Sequence, residues 1–150
     1  MKTLTTLVAT SLLLATGATR ADSIVGCDLK NGTQIYVDFH GIGVSYTHYN
    51  KAGDIDLRLP AKAYGHFAGT GANMTTYYRF INGDYSYVVI SVDEKGYAWD
   101  GLTVYKGKKL ISQQQCKTSL NDYMPEPSPD NGIIVNESDL KEAETFSYTP

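Results

Sequence analysis

The stretch TTYYRFINGDYSYVVISV, residues 75–92, decides the fold. Two aromatic and β-branched runs flank Asn82-Gly83, a dipeptide that supplies the positive φ angles of a type I′ turn. Such residues pack well on a pleated surface, so the stretch predicts a β-hairpin. After the turn, Ser86, Val88, Ile90 and Val92 share one face; Tyr85, Tyr87, Val89 and Ser91 share the other. The first face predicts core. The second, rich in tyrosine, predicts a half-wet surface.

Before the hairpin, residues 23–30 read as a strand closed by Asn31-Gly32, a second turn signal. Residues 33–40 follow, with Ile35, Val37 and Phe39 on one face against Tyr36, Asp38 and His40. Gly41 and Gly43 mark a turn or bulge before a strand at 44–49. Ile55, Leu57 and Leu59 then alternate with Asp56 and Arg58 up to Pro60. A short strand is expected at 64–67, overlapping a glycine-rich run, 65–73, that predicts a loop turning tightly or closely approaching a partner. Beyond the hairpin, 93–96 and 106–108 are turns, and 97–106 and 109–116 are strands with Leu102 and Val104 inward. About eight strands joined by short turns predict an all-β domain over 22–120, an antiparallel β-sandwich or barrel.

Both ends differ from this body. Lys2, an apolar run at 7–18 and Thr19-Arg20-Ala21 read as a cleaved secretory signal over residues 1–21. The run is too short to span a bilayer and no second one follows, so a periplasmic or secreted protein without a transmembrane segment is expected. Residues 121–150 form a tail in which Pro125, Pro127 and Pro129 predict an extended course. Asn136 would cap a short helix at 137–145, with Glu137 and Asp139 at its positive end. Leu140 and Phe146 are its sizeable apolar residues, so it would be marginal alone.

Cys27 has two readings. Ile24-Val25-Gly26-Cys27 looks like a lipoprotein processing site, but Arg20 and Asp22 interrupt the apolar approach to it. Lipidation would also leave Cys116 an odd thiol in an oxidising compartment, so a Cys27–Cys116 disulfide is the simpler expectation. In the chain-entropy model, closing so long a loop stabilises by about 4–5 kcal/mol.

Charge is uneven. Residues 22–121 hold 10 basic and 9 acidic residues, whereas 122–150 hold seven acids and only Lys141. A body so balanced argues against nucleic acid as a partner, because phosphate binding needs a concentrated positive field. There is no Gly-x-Ser-x-Gly turn, and no phosphate-binding glycine loop leads into a helix. His40, His48 and His66 match no ligand spacing, and histidines scattered over a β surface are ordinarily solvated, so no metal or other cofactor is expected. Asp54 and Asp56 suit a surface or cation contact better than a glycosidase pair. What stands out is twelve tyrosines, several opposite the apolar faces: Tyr36, Tyr85, Tyr87 and Tyr105. An exposed tyrosine face suits recognition of protein or sugar, while Trp99 reads as core.

The run from Asn82 through Gly101-Leu102-Thr103-Val104 and Gly107-Lys108-Lys109-Leu110-Ile111 to Cys116, with Cys27 and Asn31-Gly32-Thr33, resembles a group of small uncharacterised bacterial periplasmic proteins. That likeness brings no activity with it. A second resemblance is to the periplasmic inhibitors of c-type lysozyme, small one-disulfide β-barrels that place a loop in the enzyme's active site. Residues 70–77 stand near the position of that loop. The resemblance implies an inhibitor or immunity protein against a peptidoglycan hydrolase, not an enzyme. The expected plug is Gly69, Thr70, Gly71, Ala72, Asn73 and Met74, flanked by Tyr77, Tyr85 and Tyr87. Two alternatives are a module binding glycan or a small ligand on its tyrosine face, and an enzyme using His40, His48 or His66.

Overall fold

The computed structural model describes residues 22–41, 43–60, 63–70, 73–122, 124–129 and 133–134, with 60, 63–70 and 133–134 described by backbone alone. Four strands, β1 (Ser23–Asp28), β2 (Gln34–His40), β3 (Gly43–Tyr49) and β4 (Ile55–Pro60), form one antiparallel sheet in chain order. The second sheet holds β5 (Ala63–Thr70), β6 (Asn73–Asn82), β7 (Tyr85–Glu94), β8 (Tyr97–Lys106) and β9 (Lys109–Gln115), also antiparallel. A two-residue strand, β10 (Ile133–Ile134), runs parallel to β5 at its edge. The fold is the all-β, sandwich-like arrangement expected. Among the described residues no helix is long and apolar enough to cross a membrane.

The hairpin that decides the fold is present, with its turn one residue later than expected. Asn82 pairs with Tyr85, so the central residues are Gly83 and Asp84, and Gly83 takes φ 57°. Keeping Asn82 in the ladder puts the glycine at the first turn position, where a positive φ is required. Residues 65–70 of the glycine-rich run are not a loop. They belong to β5, which pairs with β6 without interruption from Ala63↔Phe80 to Thr70↔Asn73. The partner strand completes its ladder, which overrides the weak strand preference of glycine.

The main core lies between the sheets. Val25, Ile35, Val37, Phe39, Val44 and Tyr46 of the small sheet meet Tyr78, Phe80, Val89 and Leu102 of the large one. The tyrosine-bearing face of β7 therefore points into the sandwich, with Tyr87 packed against this core. The face read as core, with Val88, Ile90 and Val92, is also buried, in a second cluster with Tyr77, Trp99 and Tyr105. Alternation distinguishes two faces of a strand; it does not say which of them meets the other sheet.

Cys27 and Cys116 are disulfide-bonded (S–S 2.03 Å), which leaves no thiol for the lipid-anchor alternative. Beside the bridge, Lys30 N–H donates to Gln115 O and Lys117 N–H to Asp28 O, each at 2.8 Å. The small sheet is thus joined to the end of β9 by a covalent bond and by backbone pairing. Among residues 121, 122 and 124–129 of the tail, expected to run extended, several contact the body. Asn121 Oδ1 accepts from Gly26 N–H at 2.8 Å, Met124 is buried, and the Tyr78 hydroxyl donates to Pro125 O. The expected signal over 1–21 and helix at 137–145 lie outside the described residues.

Candidate binding site

A half-open cavity of about 350 Å³ lies at the end of the sandwich that carries the β1–β2, β3–β4, β6–β7 and β8–β9 connections. Its apolar wall is Leu29, Leu57, Leu102 and Val104 with the rings of Tyr46 and Tyr87. Its polar groups are Asn31, His48, Asp56, Ser112 and Gln114. Each sheet contributes part of it, so the site exists only in the assembled sandwich.

Two β-bulges shape the cavity. In the β3–β4 ladder His48 pairs with Leu57 but Tyr49 pairs with Ile55, which leaves Asp56 as an extra residue without a cross-strand partner. A bulge re-aims the side chain it carries. Asp56, which strict alternation sends to the face away from Leu57, here lines the cavity beside it, and its Oδ1 lies 2.5 Å from His48 Nδ1. A carboxylate accepts, so in this contact His48 Nδ1 is the donor. The same bulge turns Ile55 out to 50% exposure, although alternation groups it with the inward Leu57 and Leu59. On the opposite sheet Val104 pairs with Ser112 and Tyr105 with Leu110, so Ile111 is the extra residue next to cavity-lining Ser112.

Tyr46 is one of the residues behind the cavity wall. It sits on β3 between Val37 and Leu59, is fully buried, and stacks on Phe80 (centroids 5.3 Å, 30°) and on Tyr87 (5.7 Å, 29°). Its hydroxyl is buried without a hydrogen-bond partner. Leaving a buried hydroxyl unsatisfied costs about 1–3 kcal/mol, so such groups call for an explanation. Burial pushes this phenol far above the ordinary tyrosine value, and neighbouring Tyr87 and Asp56 push it further. It stays protonated and is a hydrogen-bond donor at any physiological pH. Tyr87 is raised as well, by burial first and then by Tyr85 and Asp56. The Asp56 carboxylate thus acts on both phenols, while among the described residues neither lysine nor arginine lines the cavity.

The residues singled out in the sequence do not form one site. Gly69 and Thr70 end β5, paired with Met74 and Asn73 at the start of β6; Gly71 and Ala72 lie outside the described residues. Asn73 Oδ1 accepts from Lys95 N–H at 3.0 Å in the neighbouring turn. Met74 pairs with Asp93 whereas Asn82 pairs with Tyr85. The hairpin tip and Tyr85 are therefore at opposite ends of the sheet, about 27 Å apart at the rise of a strand. Tyr77 is buried in the outer cluster; Tyr85 is exposed, with Lys106 Nζ 5.5 Å from its ring centroid. Among the described residues of the expected plug and its flanks, only Tyr87 lines the cavity. His40 ends β2 and His48 lines the cavity; no three metal-ligating side chains come together among the described residues. Tyr46 and Gln114 carried no signal in the sequence, since a Tyr on an inward face reads as ordinary core. Compared with known proteins, the chain matches no family model, no curated sequence and no solved structure.

Proposed function

We propose that this is an exported, non-enzymatic binding domain whose cavity at the sandwich end takes a small ligand. One observation carries the reading: a half-open cavity of about 350 Å³, large enough for a small molecule, brings Asn31, His48, Asp56, Ser112 and Gln114 together against an aliphatic and aromatic wall. Apolar walls with a few convergent polar groups are what small-molecule sites are made of. The disulfide and the amino-terminal signal pattern support export. The test is a thermal-shift screen of small polar molecules against wild type and Leu57→Trp, whose indole would fill the cavity. Ligands that stabilise wild type and leave Leu57→Trp unmoved support the reading. Equal responses from both overturn it.

A second reading, an inhibitor that seats a loop in the cleft of a peptidoglycan hydrolase, draws on the β5–β6 hairpin. Its ladder closes at Gly69↔Met74 and Thr70↔Asn73, the end of the hairpin that this reading seats in a cleft. Inhibition of a c-type lysozyme by wild type, lost on deleting Gly71, Ala72 and Asn73, would favour it; no inhibition by wild type would eliminate it.

A further inference from the structure

We propose that the outer face of the six-stranded sheet is the docking surface for the chain's own carboxy-terminal segment, residues 135–150. The proposal is independent of the cavity, whose lining residues Tyr87, Leu102 and Val104 stand on the inner side of the same sheet. Strand pairing sets the rows of the outer face: Thr75–Val92–Trp99, Tyr77–Ile90–Gly101 and Arg79–Val88–Thr103. Val88 is 0% exposed, Thr103 1%, Ile90 2% and Arg79 5%. Their neighbours along the strands, Tyr78, Val89 and Leu102, point the other way, into the core shared with the small sheet. Among the described residues the outer apolar cluster draws its members from β6, β7 and β8 alone. A single layer cannot bury its own face, because side chains standing on one pleated surface cover one another's flanks and leave their tips to water. Burial this complete requires a second layer.

Position, reach and charge identify that layer. The chain returns to this sheet at β10, which pairs with β5 through Ile133↔Ala63 and Ile134↔Tyr64, and residues 135–150 follow. At up to about 3.3 Å per residue they outreach the width of the face, the strands β5 to β9 set about 4.8 Å apart. Leu140, Phe146 and Tyr148 supply apolar and aromatic surface for Val88, Ile90 and Trp99. Glu137, Asp139, Glu142 and Glu144 supply carboxylates for Arg79, whose guanidinium, once taken out of water, is stable only among acceptor oxygens. The amino-terminal stretch 1–21 is apolar too, but it carries Lys2 and Arg20 and no acid, so it would bring like charge toward Arg79.

Two measurements on the full disulfide-bonded chain test this. Trp99 is the single tryptophan and belongs to the outer cluster, so its fluorescence reports on the cover. Leu140→Ser combined with Phe146→Ser should shift the emission to the red and raise acrylamide quenching severalfold. Changing Glu137, Asp139, Glu142 and Glu144 to the corresponding amides should raise quenching as well. No rise in that variant would overturn the pairing with Arg79 and leave the apolar docking standing. The second measurement needs no substitution: in wild type, nuclear Overhauser contacts are expected between the methyl groups of Val88 and Ile90 and the side chains of Leu140 or Phe146. Unchanged quenching in the Leu140→Ser, Phe146→Ser variant, or the lack of such contacts in wild type, would overturn the proposal. Contacts from residues 1–21, or from a second copy in isotope-filtered spectra, would overturn it by naming a different cover.

Discussion

The two faces of the six-stranded sheet bury comparable side chains to different ends. The inner face is built from rings: Tyr78, Phe80 and Tyr87 meet Phe39 and Tyr46 across the sandwich, with Phe39 edge-on to Tyr78 at 5.2 Å and Tyr46 stacked between Phe80 and Tyr87. The outer face is built on branched aliphatics, Val88, Ile90 and Val92, bordered by Tyr77, Trp99 and Tyr105. Branched side chains fill space around themselves, and Trp99 lies so close over Gly101 that a Cβ there would come within 2.7 Å of its ring. Rigid rings of fixed shape tile less completely and carry polar tips. The cavity and the unpartnered hydroxyl both belong to the ring-built face. Where a sheet uses tyrosine instead of valine for its core, it keeps the option of a polar group aimed inward.

That contrast can be broken at several points. The largest effect is expected from Cys27→Ala with Cys116→Ala, which removes the bond between the sheets and should lower stability by about 4–5 kcal/mol. Denaturant unfolding reads the loss, and hydrogen exchange should loosen the inner face before the β6–β7–β8 ladder. Phe80→Ala, which takes one ring from the Tyr46 stack, should cost about 3–5 kcal/mol. Ile90→Ala on the outer face should cost about 2–5 kcal/mol. A cost within about 0.5 kcal/mol, as for a surface change, would mean that the outer cluster is no core at all.

Smaller in size but opposite in sign is Tyr46→Phe. Removing an unsatisfied hydroxyl while keeping its ring should leave the ligand-free protein no less stable, and up to about 1–3 kcal/mol more so. A clear loss of stability would show that the hydroxyl has a structural partner. The smallest effect is a pH dependence. Burial chiefly raises the phenols of Tyr46 and Tyr87 inside and of Tyr105 outside. Their contribution is complete below the unfolded value of roughly 10 and is lost as pH climbs toward the folded values, because the unfolded chain then releases protons that the fold retains. Ultraviolet difference spectra should show late, unfolding-linked ionisation, and Tyr46→Phe should blunt it.

Much of the fold was legible because turn chemistry and alternation are local. Gly83, Gly96 and Gly107 all take positive φ in two-residue turns, and the runs between them are strands. The Cys27–Cys116 bond followed from there being two cysteines to pair. The site was not legible, for reasons equally physical. Bulges are set by how two strands fit each other, so nothing in the sequence around Asp56 or Ile111 announces an extra residue. Tyr46 looks like any inward tyrosine until its hydroxyl is found without a partner. The glycines of β5 misled because a ladder on β6 holds them extended, and the tyrosine face of β7 misled because it faces another sheet instead of water.

The unpaired Asp56 has one last consequence. Excising that single residue would let β3 and β4 zip without interruption, swing Ile55 under the strand and withdraw the partner of His48. By the parity of a pleated chain, one residue decides whether this end of the sandwich carries a His48–Asp56 pair beside a cavity or an aliphatic side chain folded over it.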